Sequence, residues 1–136
     1  EIEQSLYWID PDTGILCKCR PDILRNNLVC DLKTTQDGSP RSFQYAAFDY
    51  GYYIQAAMVR EALKQLKQTV VNDFLFIVIE KSAPYVISIY QLDQAFLDKG
   101  YQEFKALLTR YQHCLETNDW PAYSIQEISL PRYAFS

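Results

Sequence analysis

The sequence predicts an α/β (α+β) domain in which helices flank a central mixed sheet. Three observations lead to this prediction. Short segments with alternating apolar residues fill the chain up to Thr34, a long stretch rich in Ala and Gln follows, and a continuous apolar run then precedes a second helical pattern. The predicted element order is therefore βββαββα. A length of 136 residues allows one domain.

The first three predicted strands form an antiparallel meander. Alternation predicts strands at Gln4–Ile9, Ile15–Ile23 and Leu28–Thr34, and the segment Asp10–Gly14 has the composition of a tight turn. A short connection through Ile23–Asn27 would fold the third strand back beside the second.

A helical segment follows the meander. A loop at Gln36–Arg41 precedes a helix from Phe43 to about Lys67, for which Ser42 is the expected N-cap. Gly51 within this segment predicts a kink, or a division into two helices.

The remaining elements complete the sheet and add a second helix. The apolar run Asp73–Glu80 is typical of a strand buried on both faces, and Pro84–Tyr90 continues the sheet. Asp93 is expected to cap a helix over about Gln94–Glu116. We expect Trp120–Ser136 to be irregular, with at most a short strand.

The net charge and the absence of apolar spans exclude some classes of protein. No run approaches the roughly 18–20 apolar residues of a membrane span, and the start of the chain has no signal-peptide pattern. A formal net charge of −4 fits poorly with a protein that coats DNA, because phosphate neutralisation favours a basic surface. A local phosphate-binding site remains compatible with this charge, since cations cluster in one part of the sequence, namely Lys18, Arg20, Arg25, Lys33 and Arg41.

The chain has four cysteines, which we expect to be free thiols in the core: Cys17, Cys19, Cys30 and Cys114. A zinc or iron–sulfur site formed by the first three with Cys114 or His113 is the alternative. The Cys-x-Cys spacing lacks the usual two-residue spacer of such sites. We therefore favour small core residues, with His113 in a structural role.

The pattern with the most chemical content is Pro21-Asp22, eight residues, and then Asp31-Leu32-Lys33. Alternation places Asp31 and Lys33 on one face of their strand and Leu32 in the opposite layer. Carboxylate oxygens suit hard cations such as Mg²⁺, and an ammonium group can steady an attacking water or the charge on a phosphate. The pattern predicts metal-assisted phosphodiester hydrolysis, although a charged hairpin rim uses the same residue types.

Further segments extend this pattern over most of the chain. They are Tyr7–Asp10, Thr13-Gly14, Cys17–Asp22, Asp31–Thr35, Tyr50–Ala57 and the closing Trp120, Tyr123 and Leu130-Pro131. In this combination the chain resembles the RecE-type exonuclease (exonuclease VIII) branch of the PD-(D/E)xK nuclease superfamily. The resemblance implies a restriction-endonuclease-like core that has lost its first helix, as a single nuclease domain over residues 1–136. Because the chain opens at Glu1 without an initiator Met, we expect it to be the C-terminal part of a longer protein.

The resemblance also implies an activity. A member of this branch would be an Mg²⁺-dependent exodeoxyribonuclease, with Mn²⁺ as a substitute ion, that degrades one strand of linear duplex DNA from 5′ to 3′ in phage or prophage recombination. The surviving strand would pass to a single-strand annealing protein. The resemblance further implies a ring-shaped homo-oligomer around DNA ends and a cytoplasmic location, for a protein encoded by a bacterium or a phage.

The catalytic residues that the resemblance implies are Asp22, Asp31, Lys33 and Gln55. The two aspartates and the backbone carbonyl of Leu32 would bind the metal ion, and Lys33 would lie near the attacking water. Gln55 corresponds to a helical glutamine that borders the active site in this group.

Two positions depart from the expected pattern or extend it. The tyrosine that usually follows the helical glutamine by four residues is Val59 here, which leaves Gln55 equally compatible with a solvated helix position. Glu3 is an additional candidate metal ligand at the start of the first strand, or simply an exposed terminal residue.

Five residues are candidates for DNA contacts: Arg20, Thr34, Ser39, Arg41 and Tyr52. Three other functions stay open at this point. The chain could be a nuclease of different polarity or substrate, a non-catalytic member of the fold that binds DNA or a protein partner, or a zinc-stabilised binding module that uses its cysteines.

Overall fold

The computed structural model describes residues 3–25, 28–66 and 73–135. The chain forms nine regular elements in these ranges: β1 (Leu6–Ile9), β2 (Leu16–Cys19), β3 (Ile23–Arg25), β4 (Leu28–Thr35), α1 (Pro40–Asp49), α2 (Tyr52–Gln65), β5 (Asp73–Glu80), β6 (Ile87–Gln91) and α3 (Gln94–Thr117). A single 3₁₀ turn follows at Arg132–Phe135. The predicted class, a mixed sheet with flanking helices, is confirmed.

The main sheet has the strand order β3-β4-β5-β6. β4 and β5 are parallel, whereas the two outer pairs are antiparallel. Parallel neighbours need a long crossover, and α1 and α2 form it here. In the β4–β5 register Asp31 lies opposite Phe76 and Lys33 lies opposite Val78. The acidic motif is therefore on a central strand of the sheet.

The predicted three-strand meander is divided between two sheets, which corrects the sequence prediction. β1 pairs with β2 in a separate two-stranded sheet, while β3 pairs with β4 in the main sheet. The break falls at Pro21, because proline has no N–H to donate to a ladder. Ile23–Arg25, predicted to be a connection, is itself a strand. The connection after it, at 26–27, lies outside the described residues.

The segment that forms α1 and α2 begins earlier than predicted, but it divides at Gly51 as predicted. The N-cap is Ser39, whose Oγ accepts a hydrogen bond from the N–H of Ser42 at 3.4 Å, and Pro40 occupies the first helical position. Serine at the N-cap followed by proline is a favoured helix start, which explains why the helix begins before Ser42. Gly51, at φ +69°, separates α1 from α2 as expected. The predicted helix end near Lys67 lies outside the described residues.

The hydrophobic core lies between the helices and one face of the sheet. Its sheet side includes Val29, Phe76 and Val78, which are fully buried. β5 was predicted to be buried on both faces, but only alternate residues are fully buried and the others are partly exposed. On the other face Leu32 is 48% exposed and Ile89 is 63% exposed, so that face is not covered by the described residues.

The segment after α3 is irregular, as predicted, and has no strand in its described part. Its apolar side chains, such as Tyr123, Ile125 and Ile128, are almost completely exposed. Asp93 caps α3 as expected, because its carboxylate accepts a hydrogen bond from the N–H of Phe96 at 2.9 Å. In the described ranges, no helix has the length and apolar character needed to cross a membrane.

Gly100 allows α3 to approach α2 closely. A Cβ atom at this position would lie 2.2 Å from the carbonyl oxygen of Tyr53 and 3.3 Å from the Cβ atom of Ala57. Both neighbours are on α2, two residues on either side of Gln55. The packing of α3 therefore determines the position of the helix face that carries Gln55.

We expect Gly100→Ala to lower the free energy of unfolding by about 1–3 kcal/mol, because the helices would have to separate. Without the overlap, alanine would stabilise a helix interior by about 1 kcal/mol relative to glycine, so the sign of the change is informative. Urea denaturation followed by circular dichroism measures it. Ala106→Gly, at an exposed position of α3, reports the helix propensity alone. A more stable Gly100→Ala variant would contradict the close approach.

The turn between β1 and β2 is attached to α3 by a buried ion pair. Asp10 is fully buried, and its carboxylate pairs with the ammonium group of Lys105, which also lies 2.5 Å from a carboxylate oxygen of Asp12. Thr13 donates to Asp10 through its N–H and its hydroxyl group, at 3.0 and 2.8 Å. Burial alone would raise the pKa of Asp10, but the hydrogen bonds from Lys105 and Thr13 outweigh it and lower that pKa.

Candidate functional site

Asp31 is a buried carboxylate on β4 with a defined set of partners. Its side chain is 3% exposed. Oδ1 accepts a hydrogen bond from the side-chain amide of Gln55 at 2.6 Å, and Oδ2 is in ion-pair contact with Nζ of Lys33. Among the described residues, Lys33 is the partner of Oδ2, and a carboxylate oxygen can accept more than one hydrogen bond. One oxygen of this carboxylate thus keeps acceptor capacity that the protein itself does not use.

Lys33, Gln55 and Asp31 form a closed triangle. The ammonium group of Lys33 donates to Oε1 of Gln55 at 3.0 Å, while the amide nitrogen of Gln55 donates to Asp31. Alternation along β4 places Lys33 and Asp31 on the same face, as predicted. Gln55 reaches them from α2, which packs on that face. These contacts hold the lysine ammonium beside the aspartate in a single orientation.

Tyr52 supplies the aromatic ring of this site. Nζ of Lys33 lies 4.4 Å from the centroid of the Tyr52 ring, within the range of a cation–π contact. Tyr52 precedes Gln55 by three residues, so both project from the same face of α2. Val59, where the resembled group has a tyrosine, is 1% exposed and belongs to the core. Tyr52 therefore provides an aromatic neighbour that Val59 cannot provide.

Asp22 lies in the short segment that connects β2 to β3, and its side chain reaches the site from there. Its Oδ2 accepts a hydrogen bond from the N–H of Leu32 at 2.7 Å. The β3–β4 ladder ends at the pair Ile23–Cys30, so this edge of β4 is open at Leu32. Because the N–H and C=O groups of one strand residue lie on the same edge, the carbonyl of Leu32 also faces the side of Asp22.

The electrostatics of the site favour an additional cation. Burial raises the pKa of Asp31, the pairing with Lys33 opposes this increase, and the nearby charge of Asp22 adds to it. The charged form of Asp31 is therefore compensated only in part by the protein. Two carboxylates and a carbonyl oxygen are hard donors that suit Mg²⁺ or Mn²⁺, so the residues present fit a divalent cation.

The donor set from the protein is small. In the part of the chain that the structure describes, no group of three or more His, Cys, Asp or Glu side chains is arranged to hold a metal ion. Mg²⁺ commonly keeps several waters and uses one or two carboxylates together with substrate phosphates. Asp22, Asp31 and the carbonyl of Leu32 agree with this mode of binding.

Glu3 and Arg20 lie together beside the site. The N–H of Glu3 donates to the carbonyl oxygen of Asp22 at 2.9 Å, which makes Glu3 a backbone neighbour of that residue. Its carboxylate is exposed and lies 3.8 Å from the guanidinium group of Arg20. In this arrangement the side chain of Glu3 is paired with Arg20, and its role as a metal ligand stays a prediction.

The other candidate DNA contacts occupy two places. Thr34 lies next to Lys33 on the wall of an open cleft of about 660 Å³. Ser39 serves as the N-cap of α1, and Arg41 is exposed in the first turn of that helix. The wall also contains Tyr50 and Lys81, which the sequence patterns did not indicate as site residues. Lys81 follows β5 and could be placed here only once the β4–β5 register was known.

The cysteines are free thiols. Burial raises the pKa of Cys30, and burial together with the charge on Cys17 raises the pKa of Cys19 to about 12. A metal-binding cysteine must be deprotonated, which these surroundings oppose. Cys30 lies in the main sheet, whereas Cys17 and Cys19 lie in the separate two-stranded sheet. His113 is exposed on α3.

Comparisons with known proteins support the fold. A crystal structure named "Putative exonuclease" from Eubacterium rectale matches 93% of the chain, with a TM-score of 0.65 and 14% identity. The chain spans 55% of the length of that protein, and at this identity the likeness shows the fold. A second structure, named SSO0001, matches with a TM-score of 0.44, 18% identity and coverage of 79% of this chain and 50% of the other. No curated protein matches the sequence.

One family model covers nearly the whole sequence. It is described as PDDEXK-like domain of unknown function (DUF3799), and it matches residues 2–128. This range includes Asp22, Asp31, Lys33 and Gln55. The chain therefore belongs to the PDDEXK-like domain family, within the PD-(D/E)xK superfamily.

Proposed function

We propose that this protein is a metal-dependent exodeoxyribonuclease that degrades one strand of linear duplex DNA from 5′ to 3′. The observation that carries the proposal is the triangle of Asp31 and Lys33 on β4 with Gln55 on α2, beside Asp22. Nucleases of this superfamily generally use divalent metals. A buried carboxylate with unused acceptor capacity beside a second carboxylate is consistent with that chemistry.

Asp22, Asp31 and the carbonyl of Leu32 would hold the divalent cation, with Mg²⁺ as the proposed ion. A bound cation here would lower the pKa of a water molecule and offset negative charge on the scissile phosphate. Asp22 is ready for this role because the N–H of Leu32 orients its carboxylate. Asp31 is held rigidly by Gln55, which reduces the reorganisation needed during the reaction.

Lys33 would act on the phosphate or on the attacking water through its ammonium group. Gln55 and Asp31 fix the position of Nζ, and the ring of Tyr52 covers one side of it. A positive charge placed in advance where negative charge develops lowers the barrier without further reorganisation. Gln55 is a positioning residue in this scheme, since it contacts the side chains that would touch the substrate.

The finer parts of the proposal rest on the resemblance to the RecE-type branch. They are the 5′ to 3′ polarity, a role in phage or prophage recombination in the cytoplasm, an annealing protein as partner and a ring-shaped homo-oligomer. The net charge of −4 agrees with a ring whose cations face inward, although it does not require one.

Cleavage of linear duplex DNA tests this proposal. We expect the protein to degrade duplexes in Mg²⁺, to release label from the 5′ end before the 3′ end, and to lose all activity in excess EDTA. A covalently closed circle of the same sequence should resist degradation.

Release from the 3′ end first would contradict the polarity and leave the nuclease assignment intact. Cleavage of the closed circle would replace an exonuclease with an endonuclease. A protein that binds DNA and Mg²⁺ without cleaving any of these substrates would instead be a non-catalytic member of the fold.

A further inference from the structure

Tyr50 is an exposed aromatic residue at the cleft beside the candidate active site. Its side chain is on the wall of the cleft of about 660 Å³ that also contains Lys33 and Tyr52. Tyr50 is 74% exposed. It is the C-cap of α1, its N–H donates to the carbonyl oxygen of Ala46 at 3.0 Å, and the left-handed residue Gly51 follows it.

The ring of Tyr50 contacts the ring of Tyr52, which in turn contacts the ammonium group of Lys33. Lys33 Nζ lies 4.4 Å from the Tyr52 ring centroid, and the rings of Tyr52 and Tyr50 are 5.8 Å apart at an interplanar angle of 32°. Tyr52 packs inward on Phe76, at 5.9 Å between ring centroids. Tyr50 is the outermost ring of this series, and much of its surface is open to solvent.

The exposure of Tyr50 differs from that of a nearby aromatic residue. Phe48, 49% exposed, stacks on Tyr53 with ring centroids 5.5 Å apart and an interplanar angle of 6°. The only described ring in contact with Tyr50 is the tilted ring of Tyr52. A rigid backbone that presents an open aromatic face is the arrangement needed to stack a flat ligand.

The rest of the cleft suits a sugar–phosphate backbone. Lys81 adds a second ammonium group to that of Lys33, and Thr34 and Ser42 add hydroxyl groups. The carboxylate of Asp37, which is also on this wall, accepts a hydrogen bond from the N–H of Ser39 at 2.9 Å. Cations and hydroxyl groups on one wall with an aromatic ring beside them are typical of single-strand binding.

We propose that Tyr50 forms a stacking subsite for an unpaired nucleobase of single-stranded DNA, next to the phosphate that contacts Lys33. The proposal rests on the proposed function, and it makes Tyr50 a substrate-binding residue that selects an unpaired strand end. A base inside a duplex has both faces covered by its neighbours and cannot stack on Tyr50. An unpaired base can stack whatever its identity, because every base has a π-face.

A binding experiment with the slowed variant Asp31→Asn, in a buffer without divalent metal, tests the subsite. The probes are a single-stranded oligonucleotide with 2-aminopurine at its 5′-terminal position and a covalently closed circular duplex, which has no terminal base pair with an open face. We expect the added substitution Tyr50→Ala to weaken binding of the single strand by about 5- to 100-fold and to abolish the quenching of 2-aminopurine. Tyr50→Phe should retain both properties, and binding of the duplex should change less than twofold.

The matched control is Tyr45→Ala, which removes another exposed tyrosine of the same helix. It should leave single-strand binding unchanged. Equal losses for Tyr45→Ala and Tyr50→Ala would overturn the proposal, as would unchanged binding by Tyr50→Ala or no binding of the single strand at all. Equal losses on the single strand and the duplex would make Tyr50 a general DNA contact and would also overturn it.

This experiment separates the subsite from the nuclease activity. If the wild-type protein never cleaves DNA but Tyr50→Ala still weakens single-strand binding, the proposed function is wrong and the subsite stands. If the wild-type protein cleaves DNA but Tyr50→Ala leaves single-strand binding unchanged, the nuclease activity stands and the subsite is wrong.

Discussion

Replacing Asp31 with asparagine is expected to reduce the rate of DNA cleavage by about 10²- to 10⁴-fold. The substitution removes a charged side chain that we propose as a ligand of the divalent cation. Stabilisation of transition-state charge by such a cation amounts to several kcal/mol, with a factor of ten for each 1.4 kcal/mol. Asparagine has nearly the same shape, and it can keep one hydrogen bond with Gln55. The measurement is the initial rate on a 5′-labelled linear duplex in Mg²⁺.

The control variant is Asp73→Asn, the same change at an exposed position of the neighbouring strand. Asp73 lies opposite Leu28 at the start of the β4–β5 ladder, where its carboxylate accepts from Gln91. We expect this variant to cleave DNA at the wild-type rate. If both variants were equally slow, or if Asp31→Asn kept more than a tenth of the activity, Asp31 would not be a metal ligand in the reaction.

The stability of Asp31→Asn distinguishes loss of chemistry from loss of fold. Burial raises the pKa of Asp31 above the ordinary value of 3.8, so its charged form destabilises the native state at neutral pH in the absence of metal. This destabilisation disappears as the pH falls through the raised pKa. Asparagine removes this cost at every pH but also leaves Lys33 without its carboxylate partner, so the metal-free variant should unfold at a urea concentration close to that of the wild type at pH 7.

The position of β4 followed from the sequence because its signals are local. The apolar residues before Asp31 and the alternation of Asp31 and Lys33 act over a few residues, and they were sufficient to place both side chains on one face. The approach of Gln55 to this face depends on the crossover helices and on the contact at Gly100, which no local pattern contains. The orientation of Tyr52 toward Lys33 depends on the same packing.

The prediction of a single meander was wrong because two local signals competed. The apolar alternation of Ile15–Ile23 favours one continuous strand, whereas Pro21 interrupts any ladder that needs an N–H at that position. The structure follows the proline, and the chain changes sheets there. This change matters for the site, because it frees Asp22 from ladder pairing and allows its carboxylate to accept from Leu32.

Replacing Lys105 with methionine is expected to lower the free energy of unfolding by about 3–5 kcal/mol. The substitution keeps most of the side-chain volume but leaves the buried carboxylate of Asp10 without its cation, and an uncompensated buried charge is strongly destabilising. A loss of this size is a large fraction of the 5–15 kcal/mol typical of a domain. Urea denaturation at pH 7 measures it.

The matched control is Lys99→Met, on the same helix. Lys99 pairs with Glu103 at 2.6 Å, but its side chain is half exposed, and exposed pairs contribute little to stability. We expect this variant to unfold at nearly the wild-type urea concentration. Similar losses in both variants would show that methionine in α3 is harmful in itself and that the burial of Asp10 is not the cause.

Neutralising Asp10 as well should recover part of the lost stability. In the double variant Lys105→Met with Asp10→Asn no buried charge remains, and asparagine can still accept hydrogen bonds from Thr13. The dependence of the free energy of unfolding on pH gives an independent check of the same ion pair. The folded-state pKa of Asp10 is lowered below 3.8, so its stabilising contribution in the wild type is complete above pH 3.8 and is lost as the pH falls through the lowered pKa. The double variant should therefore lose less stability than the wild type between neutral pH and pH 3. A double variant less stable than Lys105→Met alone would contradict the view that an unpaired charge, rather than lost packing, causes the damage.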